Sequence, residues 1–361
     1  MVRILQIIGS LNMGGAENFI VNIYRNIDRS LVQFDFVLYD KPQGNNFYEE
    51  VENLGAKIYY VPPKKEGMIK NYRAIRDIVR ENNYKTVWKH TSHCFAGIDI
   101  IAAKSGGATK RILHSHNKGT NKLETKLHYV FRPIVNMFAT DRFACSNEAG
   151  EWLFGNRPFK VINNGIDLER FRYRVNIRQD YRKKFGLEDK FVIGHIGRFE
   201  LQKNHSFMID VFHDFCKKED RAVLVLIGEG SLQDEIKEQV KSKDIDDKVL
   251  FLNTRFDIAE LLQMMDVFMM PSNFEGFGIA LLEAQAVGMP CLASDQVPNK
   301  ANVTGKVKYL PLGNVELWAD TLQKIKNEER IENAVELIRE AGYSITDIAR
   351  DIESMILSIE D

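Results

Sequence analysis

The sequence predicts an α/β protein of two domains, each with a doubly wound parallel sheet. First, 361 residues suffice for two domains that each bury a full core. Second, strand-like apolar runs alternate with helix-like segments in both halves, as expected for parallel strands joined by crossover helices. Third, the run Asn-Asn-Gly-Ile-Asp at 163–167 has residue types that tolerate positive φ and suit an interdomain bend. We therefore expect two consecutive αβ arrays joined near 165–185.

The individual elements follow from the apolar periodicity and the turn residues between the runs. In the first half, strands are predicted at 2–9, 34–40, 56–62, 85–90, 110–117 and 141–147. The helices between them are predicted at about 16–26, 70–82 and 97–104, in a long stretch that contains Pro133, and at 150–155. In the second half, strands are predicted at 191–199, 221–230, 248–254, 266–271, 291–295 and 306–312. The helices there are predicted at about 205–217, 231–243, 257–265, 279–287, 314–327, 329–341 and 346–358.

Composition places the chain among ordinary globular proteins. Hydrophobic residues make up 44% and charged residues 27%. No apolar run is long enough to span a bilayer, and the N-terminus opens on a strand-like run, so neither a signal peptide nor a transmembrane helix is expected. The four cysteines, at 94, 145, 216 and 291, form no close pair, which is typical of reduced thiols in a cytosolic protein.

The net charge of −1 hides an asymmetry between the halves. Residues 1–168 contain 23 Lys and Arg against 16 Asp and Glu, a balance of +7, whereas the remaining residues contain 26 against 34, a balance of −8. The basic excess concentrates between Lys57 and Lys126. An anionic membrane surface, an anionic substrate or docking between the halves would suit it, and so would solvated lysines without a partner.

Two carboxylates mark the stretch 271–290. It follows a buried strand with a turn rich in Ser, Asn and Gly, and a helix then begins whose free amides and dipole favour an anion. Glu275 lies in the turn, and Glu283 interrupts the apolar face of the helix. If the segment between them were fully helical they would be about 12 Å apart, roughly the reach from the ribose to the far sugar of a nucleotide sugar. The alternative is one acid favouring the dipole and one exposed glutamate.

Cations follow the first strand of the second half. Arg198 and Lys203 lie in a strand-to-helix loop, where a guanidinium fork and an ammonium suit a diphosphate, although ordinary surface charge is the alternative. No His, Cys, Asp and Glu cluster has metal-ligand spacing, no Walker-type loop is present, and no Asp-x-Asp pair is available to hold a sugar nucleotide through a metal. We therefore expect protein cations, without a metal, to neutralise the diphosphate.

Two further features end strands of the first half. Gly14 and Gly15 follow the first strand without the G-x-G-x-x-G spacing of dinucleotide sites, so they form either a plain turn or a loop that closely approaches a phosphate or an acceptor. His114 and His116 share one face of their strand by alternation. They could contact a sugar or phosphate at the sheet edge, or be strand-end histidines capped by backbone.

Five motifs together resemble family 4 of the retaining glycosyltransferases over essentially the whole chain. They are GGAE at 14–17, RILHSHN at 111–117, NNGIDLERF at 163–171, GRFELQKN at 197–204 and PSNFEGFGIALLEAQAVGMP at 271–290. Within the family, RILHSHN and the segment 291–304 are most similar to bacterial capsular and exopolysaccharide enzymes. Related enzymes often carry an acidic residue after the proline of 297–302, where this chain reads PNKAN, and no site residue is assigned to that segment.

The resemblance implies a GT-B fold, with two Rossmann-like domains that face each other across a cleft. Residues 1–168 would form the acceptor-binding domain, completed by a helix at 345–361 that crosses back to it. Residues 169–344 would bind a nucleotide-diphosphate sugar without a metal ion or other cofactor.

The family roles carry over by position. Arg198 and Lys203 would neutralise the diphosphate and the charge on the leaving group. Glu283 would hold the ribose hydroxyls, and Glu275 the transferred sugar. The remaining assignments are the amides of Gly276, Phe277 and Gly278 on that sugar, His116 near it, Gly14 and Gly15 near the diphosphate and acceptor, and Thr254 and Arg255 on the base through their backbone.

The sequence thus predicts a metal-independent hexosyltransferase (EC 2.4) that uses a UDP-sugar and a lipid-linked oligosaccharide acceptor in capsular or exopolysaccharide synthesis. Anomeric configuration would be retained. We expect a cytoplasmic protein, peripheral at the inner face of the cell membrane, with no nucleic acid as partner. The alternatives are a UDP-sugar epimerase of the same fold and a non-catalytic protein that binds sugar nucleotides.

Overall fold

The computed structural model describes residues 1–12, 14–44, 46–117 and 122–358, without the side chains of residues 96 and 122–127. The chain divides into an N-terminal unit of residues 1–166 with 342–361 and a C-terminal unit of residues 167–341. The interruption of the first unit by the second follows from the last helix, which packs in the first core. Residues 359–361 of the helix predicted at 345–361 lie outside the described residues.

The N-terminal unit alternates strands and helices up to residue 161. In chain order its elements are β1 (Val2–Ile7), α1 (Gly15–Asn26), β2 (Val32–Leu38), α2 (Tyr48–Asn53), β3 (Ile58–Tyr60), α3 (Met68–Glu81), β4 (Thr86–Thr91), α4 (Asp99–Gly106), β5 (Lys110–Ser115), α5 (Lys122–Phe138), β6 (Asp141–Ala144), α6 (Asn147–Phe154) and β7 (Lys160–Val161). The strands are parallel in the order β3-β2-β1-β4-β5-β6-β7.

The C-terminal unit repeats the plan. Its elements are α7 (Leu168–Phe171), α8 (Val175–Phe185), β8 (Phe191–Ile196), α9 (His205–Cys216), β9 (Ala222–Ile227), α10 (Gln233–Ser242), β10 (Val249–Leu252), α11 (Ile258–Met264), β11 (Val267–Met270), α12 (Ile279–Ala286), β12 (Cys291–Ser294), β13 (Val307–Leu310), α13 (Val315–Ile325) and α14 (Ala334–Glu340); α15 (Ile345–Leu357) then returns to the N-terminal unit. Its parallel strands run β10-β9-β8-β11-β12-β13.

Both sheets are buried on both faces, which explains their nearly continuous apolar strands. In the N-terminal unit, Phe34, Phe36 and Trp88 pack beneath α1 and α15, while the alternate residues Leu5 and Val87 pack beneath α3 and α4. The predicted α/β class with two doubly wound parallel sheets is confirmed. Among the described residues, no helix combines the length and the apolar content needed to cross a bilayer.

The segment 165–185, predicted to join the two arrays, includes the boundary between the two units. It contains two helices, α7 and α8, and α8 is anchored to the C-terminal sheet. The charged sequence VNIRQDYRKKF carries few apolar residues, so its periodicity was weak. Its arginines supply the anchor instead: Arg178 and Arg182 both reach Asp266, at 2.5 and 3.2 Å, immediately before β11.

We expect Asp266→Asn to destabilise the C-terminal unit by about 3 kcal/mol. The substitution removes the counter-charge of the buried Arg182 and weakens the 2.7 Å bond that Oδ2 accepts from the Val192 amide. Hydrogen exchange of the amides of β8 and β11 measures the loss. Asp214→Asn, at a surface pair with Lys217, is the control and should change protection by less than about 0.5 kcal/mol. Equal protection in both variants would contradict the anchoring role of α8.

The bend at Gly165 also differs from its prediction. Gly165 does not have positive φ. A Cβ on it would lie 2.7 Å from Cδ1 of Ile348 and 2.9 Å from the amide nitrogen of Ile345, so glycine is needed for the close approach of α15. Here Ile166 pairs with Ser344 in parallel, and its carbonyl accepts a 3.0 Å bond from the Ile345 amide. The motif fixes the return of the last helix.

Candidate active site

The C-terminal sheet has a topological switch point between β8 and β11. From β8 the chain proceeds outward to β9 and β10, and it then returns to place β11 on the other side of β8. The crossover helices therefore lie on opposite faces, and the loops that follow β8 and β11 diverge at the carboxyl edge of the sheet. Ligands of open α/β sheets bind in this crevice. The two loops, 197–204 and 271–278, contain half of the predicted site residues.

The two loops are bonded directly to each other. The amide of Asn273 donates to the carbonyl of Gln202 at 2.8 Å, and its side chain donates to the carbonyl of Leu201 at 2.6 Å. Gln202 in turn donates to the carbonyl of Phe274 at 3.1 Å. Gln202 and Asn273 were not predicted as site residues, because a side-chain amide that bonds to the backbone has no distinctive sequence pattern. These bonds fix the spacing of the charged residues on the two loops.

Lys203 and Glu275 form an ion pair across the loops. The Nζ of Lys203 donates to Oε1 of Glu275 at 2.6 Å, and Gln202 reaches the other carboxylate oxygen at 3.4 Å. The Lys203 and Glu275 side chains are only 16% and 7% exposed. The sequence assigned these two residues to different parts of a ligand, and the structure brings them into contact. The ammonium therefore fixes the carboxylate while its remaining protons stay available to a second acceptor.

Arg198 has a different environment. It is exposed, and among the described residues its guanidinium has no hydrogen bond or ion pair. Its position is set by its backbone neighbours, because the amide of Phe199 donates to the carbonyl of Glu229 and the amide of Gly197 donates to the carbonyl of Ile227. An arginine whose backbone is held by its neighbours' hydrogen bonds and whose guanidinium is unpaired is suited to bind an anionic ligand.

The turn that supports Arg198 contains a glycine that the sequence analysis did not assign to the site. A Cβ on Gly230 would lie 2.5 Å from the carbonyl oxygen and 2.6 Å from the amide nitrogen of Phe199. We expect Gly230→Ala to fold but to reduce kcat about 100-fold, since a shift of about 1 Å in a catalytic group has that effect.

Turnover measured at saturating substrate tests this expectation against Glu229→Ala. That side chain is exposed in the same turn, and its replacement leaves the backbone bond to Phe199 in place. Wild-type kcat in Gly230→Ala would mean that the position of Arg198 does not limit the reaction.

Glu283 lies on α12, but the geometry assumed for it needs correction. The helix begins only at Ile279, so residues 275–278 are a loop and the helical spacing of about 12 Å does not apply. The serine, asparagine and glycine residues before the helix predicted a turn, and in the structure this turn continues up to Gly278. Among the described residues the carboxyl group of Glu283 accepts no hydrogen bond. Burial raises its pKa to about 7, against a smaller opposing effect of Arg170.

The loop 253–257, between β10 and α11, contains the residues predicted to bind a base. Arg255 is engaged in a forked ion pair with Asp257 at 2.7 and 2.8 Å, which holds the pKa of that carboxyl below its usual range. The carbonyl of Phe256 accepts a bond from Arg170 at 2.6 Å. Because the side chain of Arg255 is paired with Asp257, its backbone is the part that can contact a base, and the same holds for the backbone of the half-buried Thr254.

The loop before α12 combines polar backbone with exposed apolar groups. Gly276 is exposed with open space around it, Phe277 is half-buried, and Gly278 is buried at the start of the helix. Phe274 and Leu201 are largely exposed on the two bonded loops. The sequence analysis missed this exposed pair, because an apolar residue in a loop is not distinguishable from a core residue by type alone.

The N-terminal sheet has its own switch point, between β1 and β4. Gly14 precedes the first residue of α1, with extended backbone at φ −158°, and the exposed Gly15 has open space around it. A Cβ on Gly14 would lie 2.4 Å from Oε2 of Glu17, so the carboxylate of the first turn already lies against this glycine. The helix N-terminus is at the edge where a ligand of this sheet is expected.

His116 belongs to a cluster of three histidines in the N-terminal unit. Its Nε2 lies 2.7 Å from Nδ1 of His90, and Nε2 of His90 lies 2.8 Å from the side-chain oxygen of Gln6. His114 stacks beside His116 with ring centres 4.2 Å apart. Burial lowers the pKa of His116 to about 3, so its ring is neutral. This cluster has no metal-ligand spacing in the sequence, because strand register brings His90 next to residues 24 to 26 positions away.

Family models match both units. The model described as Glycosyltransferase Family 4 matches residues 13–170, and that of Glycosyl transferases group 1 matches residues 177–343. EpsF of Bacillus subtilis (strain 168), a protein named as a glycosyltransferase, is 34% identical over 94% of this chain and 92% of its own. The chain belongs to glycosyltransferase family 4. An Escherichia coli UDP-Gal:alpha-D-GlcNAc-diphosphoundecaprenol alpha-1,3-galactosyltransferase is 27% identical to this glycosyltransferase, over 82% of this chain and 81% of the relative.

Solved structures agree with the fold. Anabaena HepE in complex with UDP superposes with a TM-score of 0.78 at 21% identity, covering 99% of this glycosyltransferase and all of HepE. WaaG, a glycosyltransferase involved in lipopolysaccharide biosynthesis, gives 0.68 at 15% identity over 97% and 99% of the two chains. At these identities the likeness concerns the fold, which is GT-B.

Proposed function

We propose that this glycosyltransferase transfers a hexosyl group from a UDP-sugar to a lipid-linked oligosaccharide with retention of anomeric configuration. The observation that carries the proposal is the charge arrangement at the switch point of the C-terminal unit. There the unpaired guanidinium of Arg198 and the Lys203–Glu275 ion pair lie on the two loops that diverge from β8 and β11. A cation paired with a carboxylate, and a second cation on the same loop as the first, suit a ligand with an anionic diphosphate and a hydroxyl-rich sugar.

In the proposed donor complex, Arg198 and the free protons of Lys203 bind the diphosphate. Glu275, fixed by Lys203, accepts bonds from hydroxyls of the transferred sugar, and the amides of Gly276, Phe277 and Gly278 donate to the same group. Glu283 accepts bonds from the ribose hydroxyls, and the backbone of Thr254 and Arg255 contacts the base. Because the protein supplies the cations, the diphosphate needs no metal ion.

The chemical step follows from these roles. The bond between the anomeric carbon and the diphosphate oxygen breaks, and the two cations stabilise the charge that develops on the departing UDP. The acceptor hydroxyl then forms the new bond on the same face, and its proton passes to an oxygen of the leaving phosphate. His116, kept neutral by burial, contacts the transferred sugar, and Gly14 and Gly15 contact the diphosphate or acceptor.

The acceptor class is proposed from the relatives. The Escherichia coli relative and a Campylobacter jejuni relative, 26% identical over 55% of this chain, both carry diphospho-undecaprenol acceptors in their names. A lipid-linked oligosaccharide on the N-terminal unit, in capsular or exopolysaccharide synthesis, fits them. HepE, solved with UDP and with UDP-glucose, supports a uridine nucleotide as donor.

A transfer assay tests the proposal directly. The full chain is incubated with each of several UDP-sugars and a synthetic polyprenyl-diphosphate saccharide, and the product linkage is determined by NMR. We expect one UDP-sugar to give a product with the donor's anomeric configuration after chelator treatment. A changed sugar nucleotide formed without acceptor would indicate an epimerase instead, and UDP binding without turnover on any acceptor would indicate a binding protein.

A membrane surface is the proposed location of the reaction. At the start of α3, Met68 and Ile69 are 45% and 67% exposed, and Lys65, Lys70 and Arg73 are exposed around them. Exposed apolar side chains with exposed cations close in sequence suit the interface of an anionic bilayer at the inner face of the cell membrane.

Neutralising two of these cations is expected to weaken binding. Lys65→Gln with Lys70→Gln should reduce partitioning to phosphatidylglycerol vesicles about 30-fold, from about 1 kcal/mol per cation. Sedimentation with the vesicles measures the change. Lys237→Gln with Lys241→Gln, at exposed positions of α10, should leave binding unchanged. Equal loss in both pairs would show that overall charge, not α3, controls the association.

A further inference from the structure

Three imidazoles from two neighbouring strands meet on one face of the N-terminal sheet. His114 is the last residue but one of β5, and His116 follows it two positions later, so both side chains project to the same face. His90 lies on β4 directly opposite His114 in the parallel register. One ring nitrogen from each of the three residues lies within 4.8 Å of the others. A His-x-His pair on one strand with a third histidine on the next is a compact source of three nitrogen ligands.

His114 has no role in the hydrogen bonding of the cluster. It is fully buried, and within the described residues neither of its ring nitrogens has a partner. Its ring stacks on Trp88 at 5.8 Å and meets the edge of Phe19 at 5.1 Å, contacts that a phenylalanine could make equally well. Leaving a buried polar group without a hydrogen-bond partner destabilises a fold. A histidine at this position is therefore better explained by a ligand for its nitrogen than by packing.

The spacing of the three imidazole rings matches that of rings that coordinate one shared ion. Imidazoles that share a tetrahedral ion at about 2.0–2.1 Å have ring centres about 5 Å apart. The observed separations are 5.0 Å for His90 and His116, 5.5 Å for His90 and His114, and 4.2 Å for His114 and His116. Small outward rotations of the rings would exchange the 2.7 Å bond between His90 and His116 for two bonds to the ion.

An outer-shell partner is already present. The Nε2 of His90 lies 2.8 Å from the side-chain oxygen of Gln6, an acceptor that favours a proton on Nε2 and leaves the lone pair of Nδ1 toward the cluster.

We propose that His90, His114 and His116 bind a zinc-class divalent ion, with the fourth position open beside the half-buried His116. Imidazole nitrogens select late transition ions over magnesium or calcium, and three of them leave one position for water or an anion. The ion has no part in the diphosphate binding proposed above, and the site stands whether or not that proposal holds. Because ligation engages Nε2 of His116, it also restrains the ring assigned to the transferred sugar, a consequence that rests on the proposed function.

Cobalt binding tests the site without reference to catalysis. The full chain is stripped with a chelator and titrated with Co²⁺, followed by the visible absorption of a tetrahedral nitrogen site, and Zn²⁺ is then added as competitor. We expect one Co²⁺ per chain, displaced by Zn²⁺. His114→Phe should bind at least about 100-fold more weakly, since loss of an outer-shell partner alone costs 10- to 100-fold. His213→Ala, outside the cluster on α9, should bind like wild type.

Two results would overturn the proposal. One is the absence of saturable Co²⁺ binding by the wild-type chain, and the other is equal binding by His114→Phe. Far-UV circular dichroism checks that this variant is folded, as the aromatic surroundings of His114 lead us to expect. If it does not fold, His116→Gln at the half-buried position supplies the same comparison. Inhibition of transfer by Zn²⁺ is a separate measurement: its absence alongside normal Co²⁺ binding would contradict only the assigned role of His116.

Discussion

Replacing Lys203 by methionine is expected to lower kcat for sugar transfer by two to three orders of magnitude. The ammonium would lose both of its tasks, stabilising the charge on the departing diphosphate and holding Glu275 at 2.6 Å. Removal of a single preorganised group that stabilises a developing oxyanion costs about 100- to 1,000-fold in kcat. Initial rates over a range of UDP-sugar concentrations separate this loss in kcat from a change in KM.

A second substitution separates chemistry from stability in this prediction. Methionine at 203 leaves the nearly buried Glu275 without its counter-charge, which destabilises the loop in addition to its effect on catalysis. The double variant Lys203→Met with Glu275→Gln removes the unpaired charge and should recover thermal stability, while kcat stays low. Lys217→Met, at a surface pair in the same unit, is the control. Wild-type turnover in Lys203→Met would remove this residue from the site.

Glu283 is expected to make donor binding depend on pH. Burial raises its pKa to about 7, whereas in the proposed donor complex the ribose hydroxyls bond more strongly to the ionised carboxylate. At pH 6 only about a tenth of the unliganded protein carries the ionised group, so affinity for UDP-glucose should rise about tenfold from pH 6 to pH 8. UDP-glucose is the suitable probe because its diphosphate has no proton that titrates in this range. Calorimetry should also detect proton release on binding.

The variant Glu283→Gln should lose both effects. Its affinity at pH 8 should be about 10- to 100-fold below that of the wild type, from the loss of bonds to a charged acceptor, and should not vary between pH 6 and 8. The unliganded wild type should lose stability as pH rises from about 4.5 to 7, because in this range the unfolded chain releases the Glu283 proton that the folded state still holds, and the variant should not. A pH-dependent affinity that persists in the variant would assign the titration to another group.

Apolar periodicity predicted the central strands correctly because strands buried on both faces are continuous apolar runs. It failed at α8, whose sequence VNIRQDYRKKF is held by arginine bonds to Asp266 and not by an apolar stripe. It also missed the short α2, whose six residues lie between loops. In each case tertiary contacts, which no local pattern encodes, decide the structure.

The candidate site was predictable as a set of residue types but not as a set of contacts. The charged residues Arg198, Lys203, Glu275 and Glu283 predicted a ligand with an anionic group and a sugar. This was possible because the chemistry of each side chain can be read from the sequence. The Lys203–Glu275 contact depends on which strands are neighbours, because residues 72 positions apart meet only through the order β8-β11. The grouping of His90 with His114 has the same origin in the register of β4 with β5.

The return of α15 has a consequence for synthesis of the protein on the ribosome. Ile345, Ala349, Ile352 and Ile356 are buried in the same core as the first strands, yet they are translated after the whole of residues 167–341. The C-terminal unit is continuous in sequence, so its core requires no residue that is translated after 341. The N-terminal unit, in contrast, cannot complete its core until residues 345–356 have been synthesised, so the apolar face that α1 and α15 cover together is only partly covered before then.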